Sequence, residues 1–266
     1  MCGIFAYTGH KPIPILAMLK VLQILENEQE PNEKSPVGGH GAGIAYLDKS
    51  GAFTLEKVGK TRGSSVDDLK LRLRGHNASS RLVLGHVRRA SPEFETTVKY
   101  RECTQPYKPS CTRSFKFVSA HNGKVRNYQK LKNKLDTSHT FESEKIELID
   151  SEVIPHLFEE LLSKSKDTTR ATHALFEQIE GNNTAVILST NKSEAHLNVI
   201  QKGKTRGLVV WTNLKREVLL CSREKPTQQI LNKFLTENDY QKIIKVSRED
   251  SVNLEAHFSL SIPQST

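Results

Sequence analysis

Met1-Cys2-Gly3-Ile4-Phe5 opens the chain, and these five residues carry more chemical information than any other stretch. A small residue at position 2 lets an aminopeptidase remove Met1, which would leave Cys2 with both a thiol and a free α-amino group. An unperturbed cysteine thiol has a pKa of about 8.5 and an α-amino group one of about 7.7 to 8.0, so an N-terminal amine can serve as the base for a thiol on the same residue. The start therefore predicts a combined nucleophile and base, against the alternative that Cys2 is an ordinary structural residue.

The residues that follow predict many short strands interleaved with helices. Apolar runs and alternation indicate strands over 3–8, 43–47, 53–58, 82–86, 115–120, 184–188, 197–200, 208–211, 218–221 and, weakly, 243–246. Helical spacing indicates helices over 15–25, 65–73 (capped by Ser65), from Asp150 onward, 168–179 and 228–235. Several neighbouring strands have connections too short for crossover helices, which disfavours a doubly wound parallel sheet and favours two sheets with helices outside them.

Two polar segments interrupt this pattern. Residues 9–14 read as turn material, and residues 92–113 carry three prolines and predict a long excursion over the surface, of the kind that often binds a ligand.

Composition excludes several function classes. The chain has 266 residues and a formal charge of +9, but its 39 basic residues are spread among 30 acidic ones without stacking aromatics, so no nucleic-acid site is predicted. No run approaches the roughly 20 apolar residues of a membrane span, and no secretory leader is expected. A single domain over 1–266 in the cytoplasm is the expectation. The four cysteines should then be reduced, although spacing alone leaves a bond between Cys103 and Cys111 open.

Four further blocks follow the opening in a fixed order. They are Gly41-Ala42-Gly43-Ile44-Ala45, Gly85-His86-Val87-Arg88, Ala120-His121-Asn122-Gly123 and Asp150-Ser151-Glu152-Val153-Ile154. Together with Cys2-Gly3-Ile4 they resemble the glutaminase domain of the class II glutamine amidotransferases, which are N-terminal-nucleophile hydrolases. The resemblance covers about residues 2–225 and implies an α+β fold, a four-layer αββα sandwich. Gly38-Gly39-His40-Gly41 is more similar to stand-alone members of the family.

The resemblance implies a role for each matching residue. Cys2 would be the nucleophile, and the Asn122 amide with the Gly123 N–H would form the oxyanion hole. Arg88 would bind the α-carboxylate of glutamine and Asp150 its α-ammonium, with Ser91 as a further substrate-binding candidate. Taken without that context, Asn122-Gly123 is compatible with a turn, Arg88 with a surface ion pair and Asp150 with a helix cap. His86 is expected to be structural.

The implied reaction is hydrolysis of glutamine to glutamate and ammonia through a Cys2 thioester. About forty residues follow position 225, too few for a synthase domain, so a separate ammonia-accepting subunit is expected, and residues 226–266 would complete or pack on the domain. Two alternatives stay open: an amidase for another γ-glutamyl amide, with residues 92–113 setting specificity, and a non-catalytic glutamine sensor. No metal or organic cofactor is predicted.

Overall fold

The computed structural model describes residues 2–75, 77–109, 111, 116–190, 194–246 and 255–263. Its strands are β1 (Gly3–Pro14), β2 (Gly41–Leu47), β3 (Phe53–Gly59), β4 (Ser79–Val87), β5 (Lys116–Gly123), β6 (Asn183–Thr190), β7 (Glu194–Lys202), β8 (Leu208–Thr212), β9 (Val218–Cys221), β10 (Gln241–Val246) and β11 (Glu255–Pro263). Its α-helices are α1 (Ile15–Asn27), α2 (Ser65–Arg72), α3 (Tyr128–Lys132), α4 (Val153–Ser165), α5 (Thr168–Gln178) and α6 (Glu224–Glu237). Four short 3₁₀ turns cover Pro92–Thr97, Arg101–Cys103, Ser143–Lys145 and Asp150–Glu152.

The strands form two sheets packed face to face. The seven-stranded sheet has the order β10-β8-β9-β1-β4-β2-β3, and the four-stranded sheet has the order β11-β7-β6-β5. Each pair of neighbours among these strands is antiparallel. Helices α1, α2 and α6 cover the outer face of the larger sheet, and α4 and α5 cover that of the smaller one. The predicted αββα sandwich is confirmed.

Alternation along β1 explains why this strand lies at the centre. Ile4 and Ala6 are buried between the sheets, whereas Phe5 and Tyr7 are buried against the helices. A strand that is apolar on both faces belongs in the interior of a layered fold, since each face must be covered.

Strand β5 alternates in the same way. Val118 and Ala120 face the space between the sheets, and Phe117 packs on the outer helices. Continuing the period of two, Cys2 and Asn122 fall on the inner faces of the two opposing sheets. The block that contains Cys2 and the block that contains Asn122 are far apart in the chain, and the fold brings both to one end of the sandwich.

Three local expectations need correction. β1 continues to Pro14, so residues 9–14 are not turn material: after an irregularity between Thr8 and Ile13, Ile13 and Pro14 pair again with β4. The cap of α2 is Ser64, whose hydroxyl accepts a hydrogen bond from the Asp67 N–H at 3.1 Å, and Ser65 is the first helical residue. Asp150 opens a 3₁₀ turn, and α4 begins only at Val153.

The excursion after Pro92 has a buried centre, so the expectation of a surface loop is wrong for that part. Cys103, Thr104, Gln105 and Tyr107 are all buried. They lie across β2, where a Cβ on Gly43 would meet the Gln105 carbonyl oxygen at 2.3 Å. Bare glycine backbone in β2 therefore makes room for this segment.

Segments beyond residue 225 add to both sheets. α6 packs on α1, β10 pairs with β8, and β11 pairs with β7 along the edge of the smaller sheet. Strand β11 was not predicted from the sequence. Within the described residues, no helix combines the length and the apolar character needed to cross a bilayer. Met1, residue 115 of the predicted strand and residues 110, 112 and 113 of the excursion lie outside the described residues, as do 247–254 and 264–266.

Candidate active site

Cys2 is fixed at the start of the central strand. Its sulfur accepts a hydrogen bond from the Arg89 backbone N–H at 3.3 Å, at the end of the neighbouring strand β4. Ser222 ties the next residues down, because its hydroxyl accepts from Ile4 N–H at 3.0 Å while its own N–H donates to the Ile4 carbonyl. Gly3 allows this packing, since an added Cβ would meet a Val37 methyl at 2.5 Å. The thiol is half-buried, and its position is fixed by the backbone of Arg89.

The end of β5 supplies a second set of polar groups. Asn122 is fully buried, and neither atom of its side-chain amide has a hydrogen-bond partner among the described residues. Leaving a buried amide unpaired is costly, so this amide is available to a ligand or a water molecule. Gly123 follows with φ of 146°, and a Cβ there would lie 1.9 Å from the Asn182 carbonyl oxygen. This position therefore requires glycine.

One cleft brings most of the predicted site residues together. Its lining includes Cys2, Arg88, Ser91, Gly123 and Asp150, with Phe94 from the excursion. Asn122 precedes Gly123 in the chain and is not part of the lining. His86 is not part of the lining either, and burial lowers its pKa to about 3, so it is neutral at physiological pH.

Arg88 is buried and oriented by the first turn of the excursion. Its guanidinium donates to the Thr97 hydroxyl at 2.6 Å and to the Thr97 carbonyl at 3.1 Å. Its backbone is fixed as well, because its N–H donates to the Gly41 carbonyl and its carbonyl accepts from the His40 N–H. The alternative of a surface ion pair is therefore excluded, and the guanidinium keeps further N–H groups at the cleft.

Asp150 carries a buried carboxyl group in the lining of the same cleft. One oxygen accepts from the Val125 N–H at 2.8 Å, and no side-chain cap is made to the helix that follows. Burial raises the pKa of this carboxyl above its usual range, although nearby His121 opposes the shift. A buried carboxylate of this kind is stabilised by a cation placed next to it.

His121 organises this side of the cleft. Its Nδ1 lies 2.8 Å from the Ser151 hydroxyl, and its Nε2 lies 2.9 Å from the Asn183 side-chain oxygen. The Gln105 amide holds the backbone of His121 through two hydrogen bonds of 2.6 and 3.0 Å. Burial lowers the pKa of His121, which favours the neutral ring.

Sequence reasoning missed the supporting residues Arg89, Thr97, Gln105 and Ser151. Arg89 acts through its backbone N–H, and its guanidinium donates to His40 at 3.0 Å and to the Pro36 carbonyl at 3.2 Å. Burial lowers the pKa of His40 to about 4, so its ring is neutral and can accept that bond. Ser151 stands next to Asp150 in a block that the sequence singled out, whereas Gln105 and Thr97 carry no local signal.

Comparison with known proteins decides the family. The model of the glutamine amidotransferase domain family matches residues 95–228, half of the chain, and this match includes Asn122, Gly123 and Asp150. The chain belongs to the glutamine amidotransferase domain family.

Sequence relatives of this domain are consistent with the family match. This amidotransferase domain is 27% identical over 182 residues to a glutamine–fructose-6-phosphate aminotransferase of Sulfurisphaera tokodaii, covering 68% of this chain and 27% of that protein. It is 23% identical over 252 residues to the aminotransferase of the same name from Geobacillus kaustophilus, covering 95% of this chain and 37% of that protein. The chain thus spans about a quarter to a third of the relatives that it matches.

The fold is that of the class II amidotransferases. A solved structure of glutamine phosphoribosylpyrophosphate amidotransferase from B. subtilis, complexed with ADP and GMP, superposes with a TM-score of 0.61 at 18% identity. The superposition covers 92% of this amidotransferase chain and 45% of the other. At that identity the likeness concerns the fold alone.

Proposed function

We propose that this domain hydrolyses the side-chain amide of glutamine, with Cys2 as the nucleophile. The observation that carries the proposal is that Cys2, buried Arg88, Gly123 and buried Asp150 line one cleft, with the unpaired amide of Asn122 on the residue before Gly123. A guanidinium and a carboxylate facing a common space match the α-carboxylate and α-ammonium of an amino acid. Membership of the amidotransferase family supports the same substrate class.

The first half of the reaction forms a thioester. Removal of Met1 would expose the Cys2 amine, which takes the thiol proton as the sulfur attacks the amide carbon of glutamine. The charge that develops on the carbonyl oxygen is stabilised by the Asn122 Nδ2 and the Gly123 N–H, worth about 3 kcal/mol per donor. The protonated amine then gives its proton to the leaving nitrogen, and ammonia departs.

The second half releases glutamate. Water attacks the thioester carbon and passes a proton to the same amine, and the oxyanion is stabilised by the same two donors. Collapse of the intermediate breaks the carbon–sulfur bond, the sulfur recovers a proton, and the enzyme returns to its starting state. His86 takes no part, because a ring with a pKa of about 3 is a poor base.

Two further parts of the proposal concern what surrounds the reaction. The relatives with an aminotransferase name extend far beyond the matched part, so we propose that the ammonia passes to a separate or attached acceptor domain. All four cysteines are free thiols, which supports a reducing compartment such as the cytoplasm.

A second substrate class is favoured by one observation. Phe94 and Ser91, at the start of the excursion, contribute to the cleft lining, so this segment is placed to select the group attached to the amide nitrogen. Turnover of glutamine and of γ-glutamyl-capped amines, measured side by side, separates a glutaminase from a broader γ-glutamyl amidase.

Labelling with a glutamine-mimicking electrophile tests the nucleophile. Intact mass should show one adduct on a chain lacking Met1, peptide mapping should place it on Cys2, and Cys2→Ala should abolish it together with ammonia release. Cys221→Ala is the matched control, because that thiol is fully buried away from the cleft. Label on Cys103, Cys111 or Cys221 contradicts the proposal, and glutamine binding without ammonia release favours a sensor.

A further inference from the structure

Four metal-ligating side chains converge outside the cleft just described. They are Cys111, at the end of the excursion, His139, which follows α3, and His156 and Glu159 on α4. One ligand atom from each lies within 4.8 Å of all the others. The two histidines and Glu159 are almost fully buried, with side-chain exposures of 4% or less. Burying three titratable groups side by side costs free energy, which a shared cation would offset.

We propose that this cluster, the Cys111 cluster, is a structural zinc site. A tetrahedral Zn²⁺ has bonds of about 2.0 to 2.1 Å to nitrogen and about 2.3 Å to sulfur, which separate two nitrogens by about 3.3 Å and nitrogen from sulfur by about 3.5 Å. The Nδ1 atoms of His139 and His156 lie 3.1 Å apart, and Cys111 Sγ lies 3.6 Å from His156 Nδ1. These edges already have the dimensions of the coordination tetrahedron.

Hydrogen bonds within the cluster do not account for the arrangement. Each Nδ1 has one lone pair or one proton in the plane of the ring, so it makes one good hydrogen bond. Yet His156 Nδ1 faces both Cys111 Sγ and His139 Nδ1, and His139 Nδ1 also lies 3.5 Å from Glu159 Oε2. A cation at the centre satisfies all of these atoms at once.

The surroundings of the cluster also suit a metal. Ligating histidines usually have a carboxylate near their second ring nitrogen, which fixes the ring. Glu152 Oε1 lies 3.8 Å from His156 Nε2, and Glu160 Oε2 lies 3.9 Å from His139 Nε2. The Phe141 ring covers His156, with centroids 4.2 Å apart, and contributes an apolar wall.

The ligand types decide the kind of metal and its role. One thiolate, two imidazoles and one carboxylate suit zinc better than calcium or magnesium, which prefer oxygen alone. Four protein ligands complete a tetrahedron and leave no open position, as in structural sites. Zinc binding would displace the proton of the Cys111 thiol. The bound metal would link three parts of the chain: the excursion, the segment that follows α3, and helix α4. The turn before α4 carries Asp150.

Metal analysis tests the site directly, whatever the catalytic activity. Full-length protein purified without chelators should contain about one zinc per chain by elemental mass spectrometry. Cobalt exchanged into the site should give visible tetrahedral ligand-field bands and a thiolate-to-cobalt charge-transfer band in the near ultraviolet. Cys111→Ser should lose the charge-transfer band, and both Cys111→Ser and His139→Ala should bind zinc at least 10-fold more weakly.

Matched variants locate the metal within the cluster. Cys103→Ala, in the same excursion, and His173→Ala, on the exposed surface of α5, should keep the full metal content. Cys2→Ala should keep it too, which separates this site from adventitious binding at the proposed nucleophile. If His139→Ala does not fold, half-buried Cys111→Ser carries the test. Absence of stoichiometric zinc together with no tetrahedral cobalt spectrum overturns the proposal, as does full metal content in Cys111→Ser/His139→Ala.

Discussion

Arg88 and Thr97 form a buried two-point contact, in which the guanidinium donates to the hydroxyl at 2.6 Å and to the carbonyl at 3.1 Å. The contact joins the end of β4 to the first turn of the excursion. It also limits the rotation of the guanidinium, so that its remaining N–H groups are preorganised for a carboxylate. If Arg88 binds the α-carboxylate as proposed, substrate binding and the position of the excursion are coupled through Thr97.

Thr97→Val should weaken glutamine binding while leaving the chemical step largely intact. The variant keeps the shape of the side chain but removes the hydroxyl acceptor, so Arg88 loses one constraint and one buried N–H loses its partner. We expect KM for glutamine to rise about 5- to 30-fold, equivalent to about 1 to 2 kcal/mol, with kcat changed less than threefold. Steady-state ammonia release measures both. Thr236→Val, on the exposed side of α6, is the control. If Thr97→Val has the same kcat and KM as the wild type, Thr97 does not orient Arg88.

Asn122→Leu should separate catalysis from stability. The amide has no partner among the described residues, so an apolar side chain of similar size removes an unpaired polar group and should leave the free energy of unfolding unchanged or higher. The same change removes the proposed oxyanion donor, and kcat should then fall about 100- to 1000-fold. Ammonia release and urea denaturation provide the two measurements.

Asn183→Leu is the contrasting variant, because that buried amide accepts a hydrogen bond from His121 at 2.9 Å. It should lower the free energy of unfolding by about 1 to 3 kcal/mol. If Asn122→Leu destabilises the fold as much as Asn183→Leu does, the Asn122 amide is structural and the proposed oxyanion role is wrong.

Gly123→Ala should disrupt the end of β5 far more than a backbone penalty alone predicts. The added Cβ would lie 1.9 Å from the Asn182 carbonyl oxygen, so the strand end must move and the proposed oxyanion N–H moves with it. Gly51→Ala is a suitable control, because Gly51 also has a positive φ, 72°, with no atom within 4 Å of a Cβ.

That control isolates the left-handed backbone cost of about 1 to 2 kcal/mol. Thermal unfolding should place Gly123→Ala well below Gly51→Ala, and only Gly123→Ala should lose ammonia release. Similar melting temperatures for both variants would contradict the steric argument.

The sequence predicted what depends on local pattern and on ordered blocks. Apolar runs and alternation predicted the strand that follows Cys2 and the strand that leads to Asn122. The ordered blocks marked Arg88, Gly123 and Asp150 as site residues. Most strands and helices appear within a few residues of their predicted ends. The interior of the excursion was missed because polar residues such as Gln105 are buried only through contacts with distant backbone, here that of His121. No local pattern reports such a partner.

The Cys111 cluster shows the same limit. Its ligands span positions 111 to 159 and lack the short spacing of a metal knuckle, so the sequence predicted no metal. Only His156 and Glu159, three residues apart on one helical face, have a local relationship. Strand β11 was missed for a different reason: it contains no continuous apolar run, only Phe258, Leu260 and Ile262 in alternation with polar residues.

Asp150 should make the ligand-free protein less stable as the pH rises. Burial raises the pKa of its carboxyl above the ordinary 3.8, so the folded state holds the proton longer than the unfolded state does. The favourable contribution is therefore complete below pH 3.8 and is lost as the pH rises through the folded pKa. Asp150→Asn removes this dependence. Denaturation at several pH values measures the difference in free energy of unfolding between Asp150→Asn and the wild type. This difference should shift in favour of the variant as the pH rises and then become constant.

Asp48→Asn is the control, because the contribution of Asp48 to stability should change with pH in the opposite direction. Hydrogen bonds from Ser50 and its neighbours lower the pKa of Asp48 to about 2, so its contribution is present above pH 3.8 and is lost as the pH falls through about 2. Glutamine should reverse the effect at Asp150 only, because its α-ammonium pairs with the ionised carboxylate, and its affinity should fall on acidification through the raised pKa. Two results together would contradict this prediction: a difference in free energy of unfolding between wild type and Asp150→Asn that does not change with pH, and a glutamine affinity of the wild type that does not change either. They would show that Asp150 neither titrates in the cleft nor binds the ammonium.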